Sequence, residues 1–463
     1  MSATRRWLRA ACEPRTDGWA DPLYAAALGA IYVALLLGTV GNLGYARDEG
    51  FYFEAARAYQ AWFELLWNDS GRALAEVDAY WRWNHEHPAL VKSLFALSHL
   101  FFWDKVRLFS MEGTSFRFPA MVLSGLAVSI VFLWGARARG RLAGLVAAGS
   151  LGFMPHFFFH AHLACFDAPV VATWTLCAYA WWRAIDKGGW VRALLVGLAF
   201  GAALNTKHNS WFLPIVCSAH ALVLLLPGAT PGIEKKRALA RAAMSLGAMA
   251  TIGPFLFWAS WPWIWNDTIA RFREYAMFHL GHVYYNMEFL GRNYWRPPMP
   301  RSYAFVMTVA TVPLVTLLSF ALGLAVAVRR EALAIWSAIQ RSTPRRPFLP
   351  KSDPATTWLW LIAMTVQYAA WLRSSTPIFG GTKHWMTAYP FLALFAAEGV
   401  RALLLMARHR WLRRPFRPLV RGRALEIAFG IAAVLPPVAQ ALHAHPWGLS
   451  FYNALVGGAP GAA

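Results

Sequence analysis

The sequence carries repeated runs of close to twenty apolar residues, and nothing else in it limits the fold as strongly. They fall at about 23–43, 117–135, 142–160, 167–184, 190–205, 210–228, 241–264, 302–327, 355–372, 385–406 and 424–442. A bilayer core about 30 Å thick is crossed by roughly 20 residues of helix, and a chain in lipid must satisfy its backbone polar groups internally. The pattern predicts an all-α polytopic membrane protein with about eleven transmembrane helices. Only Asn205-Thr206-Lys207-His208-Asn209 blurs it, by interrupting the pair at 190–228. Composition points the same way: 58% of residues are hydrophobic and 14% charged, against about half and a quarter in soluble chains.

The 44 Lys and Arg outnumber the 23 Asp and Glu, giving a net charge of +21. In a soluble protein this would suggest nucleic acid, but here the charge sits in short runs between apolar stretches and no base-reading motif accompanies it. The runs follow the rule that cytoplasmic loops collect Lys and Arg. With Arg5, Arg6, Arg9 and Arg15 inside, the clusters Arg137 to Arg141, Arg183 to Arg192, Lys235 to Arg241, Arg329 to Lys351 and Arg408 to Arg423 all fall on the same side. The expected N-terminus is therefore cytoplasmic, the first run is an uncleaved span, the membrane is the inner (plasma) membrane, and nucleic acid is not a partner. Cys12, Cys165, Cys177 and Cys217 show no CxxC spacing, so neither a disulfide framework nor a cysteine metal site follows.

The chain reads as a single transmembrane domain, 1–463, with a basic cytoplasmic loop at 328–354 and two long outer loops at 44–116 and 265–301. Long loops in a compact protein are usually functional. The first holds ten of the acids: Asp48, Glu49, Glu54, Glu64, Asp69, Glu76, Asp78, Glu86, Asp104 and Glu112. Within it Phe51, Tyr52, Ala55, Tyr59, Trp62, Phe63 and Leu66 recur at helical spacing, which predicts an amphipathic interfacial helix. A second is expected from Leu90 through Trp103.

Several outer-side residues could carry chemistry. Asp48-Glu49 follows the first span directly; its plain reading is a helix start, where acids favour the dipole. Asp167 sits at the outer start of a span, where an ionisable group is a functional candidate, although Asp before Ala168-Pro169 also suits a helix start. His85-Glu86-His87, together with His279 and His282 of the second loop, offers groups for a divalent metal ion or for positioning a substrate. Lys207 and Lys383 lie near outer ends of spans, and Arg271 and Arg292 in the second loop. These cations break the inside-positive trend, which phosphate binding or attraction to the acidic first loop would each explain. Together the groups suit a carboxylate that deprotonates an acceptor hydroxyl while cations or a metal stabilise a leaving phosphate.

At these positions the chain resembles the GT-C glycosyltransferases, most closely the protein O-mannosyltransferase and aminoarabinose-transferase superfamily, glycosyltransferase family 39 and its relatives. The likeness rests on Tyr45-Ala46-Arg47-Asp48-Glu49-Gly50-Phe51-Tyr52 after the first span, Glu86-His87-Pro88-Ala89-Leu90 in the first loop, Phe166-Asp167-Ala168-Pro169, Leu204-Asn205-Thr206-Lys207, and the segment from Lys383-His384 to Pro390. Order and spacing agree over roughly 20–400. The resemblance implies a polyprenyl-phosphate-sugar donor, transfer with inversion on the periplasmic face, Asp48 as leading catalytic carboxylate and Asp167 in support. Where the family often has Lys-Pro-Pro, this chain has His87-Pro88-Ala89, which puts phosphate contacts at that position in doubt. No large soluble domain is expected after the last span, so the acceptor could be a lipid, a glycan or a polypeptide. A transporter or flippase for a lipid-linked or anionic solute is the alternative; it would favour midplane charges and internal repeats, and neither is evident.

Overall fold

The computed structural model describes residues 19–227, 229, 234–340, 353–411 and 418–461. Arg5, Arg6, Arg9, Arg15 and Cys12, and the part of the basic loop that holds Arg341, Arg345, Arg346 and Lys351, lie outside them.

Each apolar run is helical over most of its length. In chain order the helices are α1 Ala20–Thr39, α2 Arg47–Asn68, α3 Ser70–Ala75, α4 Val77–Trp81, α5 Leu90–Ser98, α6 Glu112–Arg139, α7 Arg141–Gly152, α8 Pro155–Ala161, α9 Asp167–Lys187, α10 Trp190–Leu204, α11 Leu213–Val223, α12 Lys235–Ala259, α13 Thr268–Leu280, α14 Tyr303–Thr311, α15 Leu314–Ile339, α16 Pro354–Ala369, α17 Tyr389–Trp411 and α18 Pro418–Ala444. Among the described residues five stretches are each long and apolar enough to cross a membrane: Ala20–Asn42, Glu112–Arg139, Lys235–Ala259, Met386–Arg408 and Ala424–Ala444. Two further candidates are bent pairs, α7 with α8 at 71° and α14 with α15 at 120°. Both bends fall at a proline, Pro155 and Pro313. Proline lacks an N–H and drives the preceding residue out of the helical region. Helices α15 and α17 touch at paired glycines, where a Cβ on Gly323 would lie 1.8 Å from the Phe395 carbonyl oxygen. Small residues allow such backbone approach where apolar burial alone gives helices little reason to associate.

The first long loop is built, not loose. Along α2 the residues Tyr52, Ala55, Ala56, Tyr59 and Trp62 are buried, and Tyr59 stacks on Trp81 of α4 at 3.9 Å. The second outer loop contributes α13 and a small hairpin, β1 Met287–Phe289 with β2 Arg292–Tyr294, which pairs Met287 with Tyr294 and Phe289 with Arg292. Its two-residue turn, Leu290-Gly291, has positive φ at both positions, the twist that a tight hairpin requires. Arg271 of α13 grips both carboxylate oxygens of Asp78 at 2.5 and 2.7 Å, tying the two outer loops together.

Candidate active site

Asp48 and Glu49 are the second and third residues of α2. Successive helical side chains do not face the same way, so the adjacent acids part. Asp48 lines a cavity of about 1260 Å³. Glu49 turns into the core and is fully buried. There it accepts from Arg117 Nε and Nη2, both at 2.7 Å, from the Ala164 N–H at 2.9 Å and from the Ala46 N–H at 2.8 Å. Four donors saturate the carboxylate, and Glu49 does not line the cavity. Its place among the expected catalytic groups is corrected to that of an anchor joining α2, α6 and the turn before α9.

Asp48 keeps one oxygen open. Lys383 Nζ donates to its Oδ2 at 3.0 Å, and Oδ1 has no partner among the described residues. Lys383 follows Gly380 and Gly381, whose φ values of +64° and +62° favour residues without a Cβ. A Cβ on Gly380 would meet Lys383 Cε at 2.3 Å. Burial alone would lower the Lys383 ammonium, but Asp167 and Asp48 together hold it well above its usual range. It is therefore a fixed positive charge at neutral pH.

Asp167 begins α9 and is 5% exposed. Lys207 Nζ donates to its Oδ1 at 2.6 Å, and His160 Nδ1 lies 3.8 Å from Oδ2. Lys207 sits in the break between α10 and α11 that the sequence flagged, where no helix competes for its orientation. Both carboxylate–lysine pairs line the same cavity. The Asp167–Lys207 pair is buried, and such a pair is costly to break by removing one partner; Asp48, with 41% of its side chain exposed, opens onto the cavity.

Glu86, His87, His279 and His282 also line the cavity. Asn84 holds a left-handed φ of 51°, tolerable for Asn, and its side-chain amide donates to Glu86 Oε1 at 2.7 Å. His279 Nε2 donates to the Glu86 backbone carbonyl at 2.9 Å and its ring stacks on His208 at 4.0 Å; His282 stacks on Phe379 at 4.1 Å. Burial first, and then neighbouring imidazoles and lysines, hold His87, His208 and His384 well below the usual histidine range. His279 is pushed down to about 4. Four imidazoles of the cavity wall, those of His87, His208, His279 and His384, are thus held neutral.

The expected metal set does not assemble. Among the described residues no three His, Cys, Asp or Glu side chains gather to hold an ion. His279 spends a ring nitrogen on the backbone, and His85 does not line the cavity but faces Glu274 at 2.9 Å. Two expected phosphate-binding cations are likewise displaced. Arg271 is committed to Asp78, which it holds below the usual carboxylate range, as the attraction to the acidic loop would have it. Arg292 is exposed on β2. Neither lines the cavity.

Residues 96–258 match the family described as dolichyl-phosphate-mannose-protein mannosyltransferase. Among solved structures, the archaeal oligosaccharyltransferase AglB from Archaeoglobus fulgidus, in complex with an inhibitory peptide and a dolichol-phosphate, aligns with a TM-score of 0.58 at 11% identity, over 92% of this chain and 56% of that one. ArnT from Cupriavidus metallidurans, bound to undecaprenyl phosphate, aligns with a TM-score of 0.53 at 15% identity, over 92% and 78%. This is a GT-C fold. The chain spans little more than half the length of AglB, and no curated protein sequence matches it.

Within this GT-C fold, several cavity residues escaped the sequence. Arg47 and Arg373 line the cavity and make no ion pair among the described residues. Gln367, Trp371 and Asn209 join them. Arg373 lies just past α16 in a segment without periodicity, so nothing local marked it. Lys92 had a signal: a lysine inside the apolar run Leu90-Val91-Lys92-Ser93-Leu94-Phe95 has to find partners if buried. It donates to the Asn84 and His87 carbonyls at 2.5 and 2.9 Å, which fixes the loop that carries Glu86.

Proposed function

We propose that the chain is an inner-membrane glycosyltransferase that moves a hexosyl or pentosyl group from a polyprenyl-phosphate donor to a lipid, glycan or polypeptide acceptor on the periplasmic face. The observation that carries this reading is the convergence of Asp48–Lys383 and Asp167–Lys207 on one cavity, with Oδ1 of Asp48 open. The acceptor hydroxyl oxygen attacks the anomeric carbon from the side opposite the phosphate, and its proton passes to Asp48. The anomeric C–O bond breaks in the same displacement, so the configuration inverts, and polyprenyl phosphate leaves with the electron pair. Lys383 stabilises the growing phosphate charge, and Arg373 holds the donor phosphate. Lys207 keeps Asp167 ionised, and Asp167 in turn helps keep Lys383 charged.

The cavity exceeds the roughly 300–1,000 Å³ of a single-ligand pocket, which leaves room for a donor head group beside an acceptor. No step is routed through a metal ion, because among the described residues no three His, Cys, Asp or Glu side chains gather to hold one.

The test is Asp48→Asn, with transfer measured from polyprenyl-phosphate-linked sugars in membranes. A proton-accepting group is worth about 10²–10⁴-fold, so transfer should fall by that factor while the protein accumulates normally. Full transfer in this variant would sink the assignment. Solute counterflow in proteoliposomes, with no sugar transfer by the wild type, would favour the transporter reading.

A further inference from the structure

The segment 445–456 packs against the backs of two elements that form the site. The 120° break between α14 and α15 strands the last carbonyls of α14, which have no helical partner. Asn453 takes them up. Its backbone N–H donates to the Ala310 carbonyl at 2.8 Å, and its side-chain amide donates to those of Val309 and Val312 at 2.6 and 2.7 Å. Asn453 is 1% exposed and does not line the cavity. A few residues earlier Gly448 lies flat on α8, where a Cβ would come within 2.8 Å of the Pro155 carbonyl oxygen.

Between these anchors the Phe451 carbonyl oxygen lies 3.2 Å from His156 Nε2. A carbonyl only accepts, so this contact puts the proton on Nε2 and leaves Nδ1 an acceptor. Nδ1 is 2.8 Å from the Thr382 hydroxyl, which then donates to it. Thr382 is the residue before Lys383. A continuous relay therefore runs from Asn453 through Phe451, His156 and Thr382 to the lysine that faces Asp48.

We propose that the segment 445–456 is a strut of the active site, with Asn453, His156 and Thr382 as positioning residues that set Lys383 against Asp48. The inference rests on the proposed glycosyl transfer for its catalytic consequence, though not for its geometry. A single misplaced group at a reacting centre costs rate even when the fold is kept.

The experiment uses the full chain in detergent or nanodiscs and has two readouts. The first is hydrogen–deuterium exchange of the peptide spanning 378–388 in Asn453→Ala and Thr382→Val. Exchange there should rise about ten-fold as local opening becomes easier, while α6 stays protected. Unchanged exchange at 378–388 in both variants would overturn the strut. The second is steady-state transfer from undecaprenyl-phosphate-linked mannose, glucose and 4-amino-4-deoxyarabinose. Thr382→Val should lower kcat about ten-fold, the scale of one lost hydrogen bond, with donor KM little changed; Thr382→Ser, which restores the hydroxyl, should recover most of it. The combination Thr382→Val with Asn453→Ala should cost no more than the worse single change, because both act through one relay. Additive losses, or a loss confined to KM, would contradict the proposal. If exchange rises as expected while the wild type transfers none of these sugars, the strut stands and the donor reading falls.

Discussion

Two ionic clusters, one opening on the cavity and one wholly buried, are built to opposite plans. At the outer end Asp48 and Asp167 each meet one lysine, and Asp48 retains an open oxygen beside the cavity. At the far end of α6, about 40 Å along a helix rising 1.5 Å per residue, Glu398 is saturated. It accepts from Arg330 at 2.5 Å and from Arg401 at 3.4 Å, and Arg139 Nε lies 3.0 Å away as an ion pair. All four side chains are at most 4% exposed, and Arg139 and Arg330 also donate to Thr357. Closed shells of this kind join helices, here α6, α15, α16 and α17. A cluster with an unfilled acceptor site can receive a substrate. The difference teaches that burial of charge alone does not mark a catalytic centre; a carboxylate oxygen left open beside a cavity does.

The sharpest way to break the comparison is to neutralise one acid at each end. Asp48→Asn should remove about 10²–10⁴-fold of the transfer rate and leave thermal stability nearly unchanged, since its side chain is 41% exposed. Glu398→Gln should do the reverse. It leaves Arg139, Arg330 and Arg401 buried around a neutral amide, with Glu331 still bonded to Arg330 at 2.9 Å, a loss of about 3–5 kcal/mol for a broken buried pair, so little folded protein should survive size-exclusion after heating. The fraction that does survive should transfer sugar at the normal rate. A folded, inactive Glu398→Gln protein would show that the far cluster communicates with the site.

Protons provide a second contrast. Guanidinium groups stay charged throughout the accessible range, whereas four imidazoles of the cavity wall are held neutral. His279 resists protonation down to about 4 in the folded protein, while an unfolded histidine takes up its proton near 6.5. Between those values the unfolded state binds more protons, so stability falls as pH drops through that window and is constant above it. His87, His208 and His384 shift in the same direction. The thermal midpoint should be level above about pH 7 and decline from 6.5 towards 4, with a shallower decline in His279→Phe. A level midpoint across that window would show that the imidazoles are already paired with solvent.

The sequence reveals the framework well because lipid imposes a coarse rule: every apolar run long enough to span is helical here. It also reveals Asp48, Asp167, Lys207 and Lys383, since charges at span ends are rare enough to stand out. It does not reveal which of two adjacent acids faces the cavity. Asp48 and Glu49 differ only in helical phase, and that phase is set by Arg117, 68 residues beyond Glu49 and buried in the first turns of α6. Nor does it separate Arg271 from Arg373. Both are arginines in outer, irregular segments, and only the fold puts Asp78 beside one and the cavity beside the other. His85 and His87 part in the same way, two residues apart on a loop fixed by Lys92.

The smallest expected effect concerns those arginines, and it sharpens the comparison most finely because all three carry the same charge. Arg373→Ala removes a cation that lines the cavity without an ion-pair partner. Loss of one charge-assisted contact to a donor phosphate, about 1.5 kcal/mol, should raise donor KM roughly ten-fold. Arg271→Ala breaks a pair whose acid is 52% exposed, and exposed pairs contribute about 0–1 kcal/mol. Arg292→Ala removes an exposed hairpin side chain that touches neither the cavity nor an acid among the described residues. Both should leave donor KM within about two-fold. Equal rises in all three would mean that the donor phosphate is drawn by the summed charge of the outer face. A rise confined to Arg373 places it at a single point, in the cavity that Asp48 also lines.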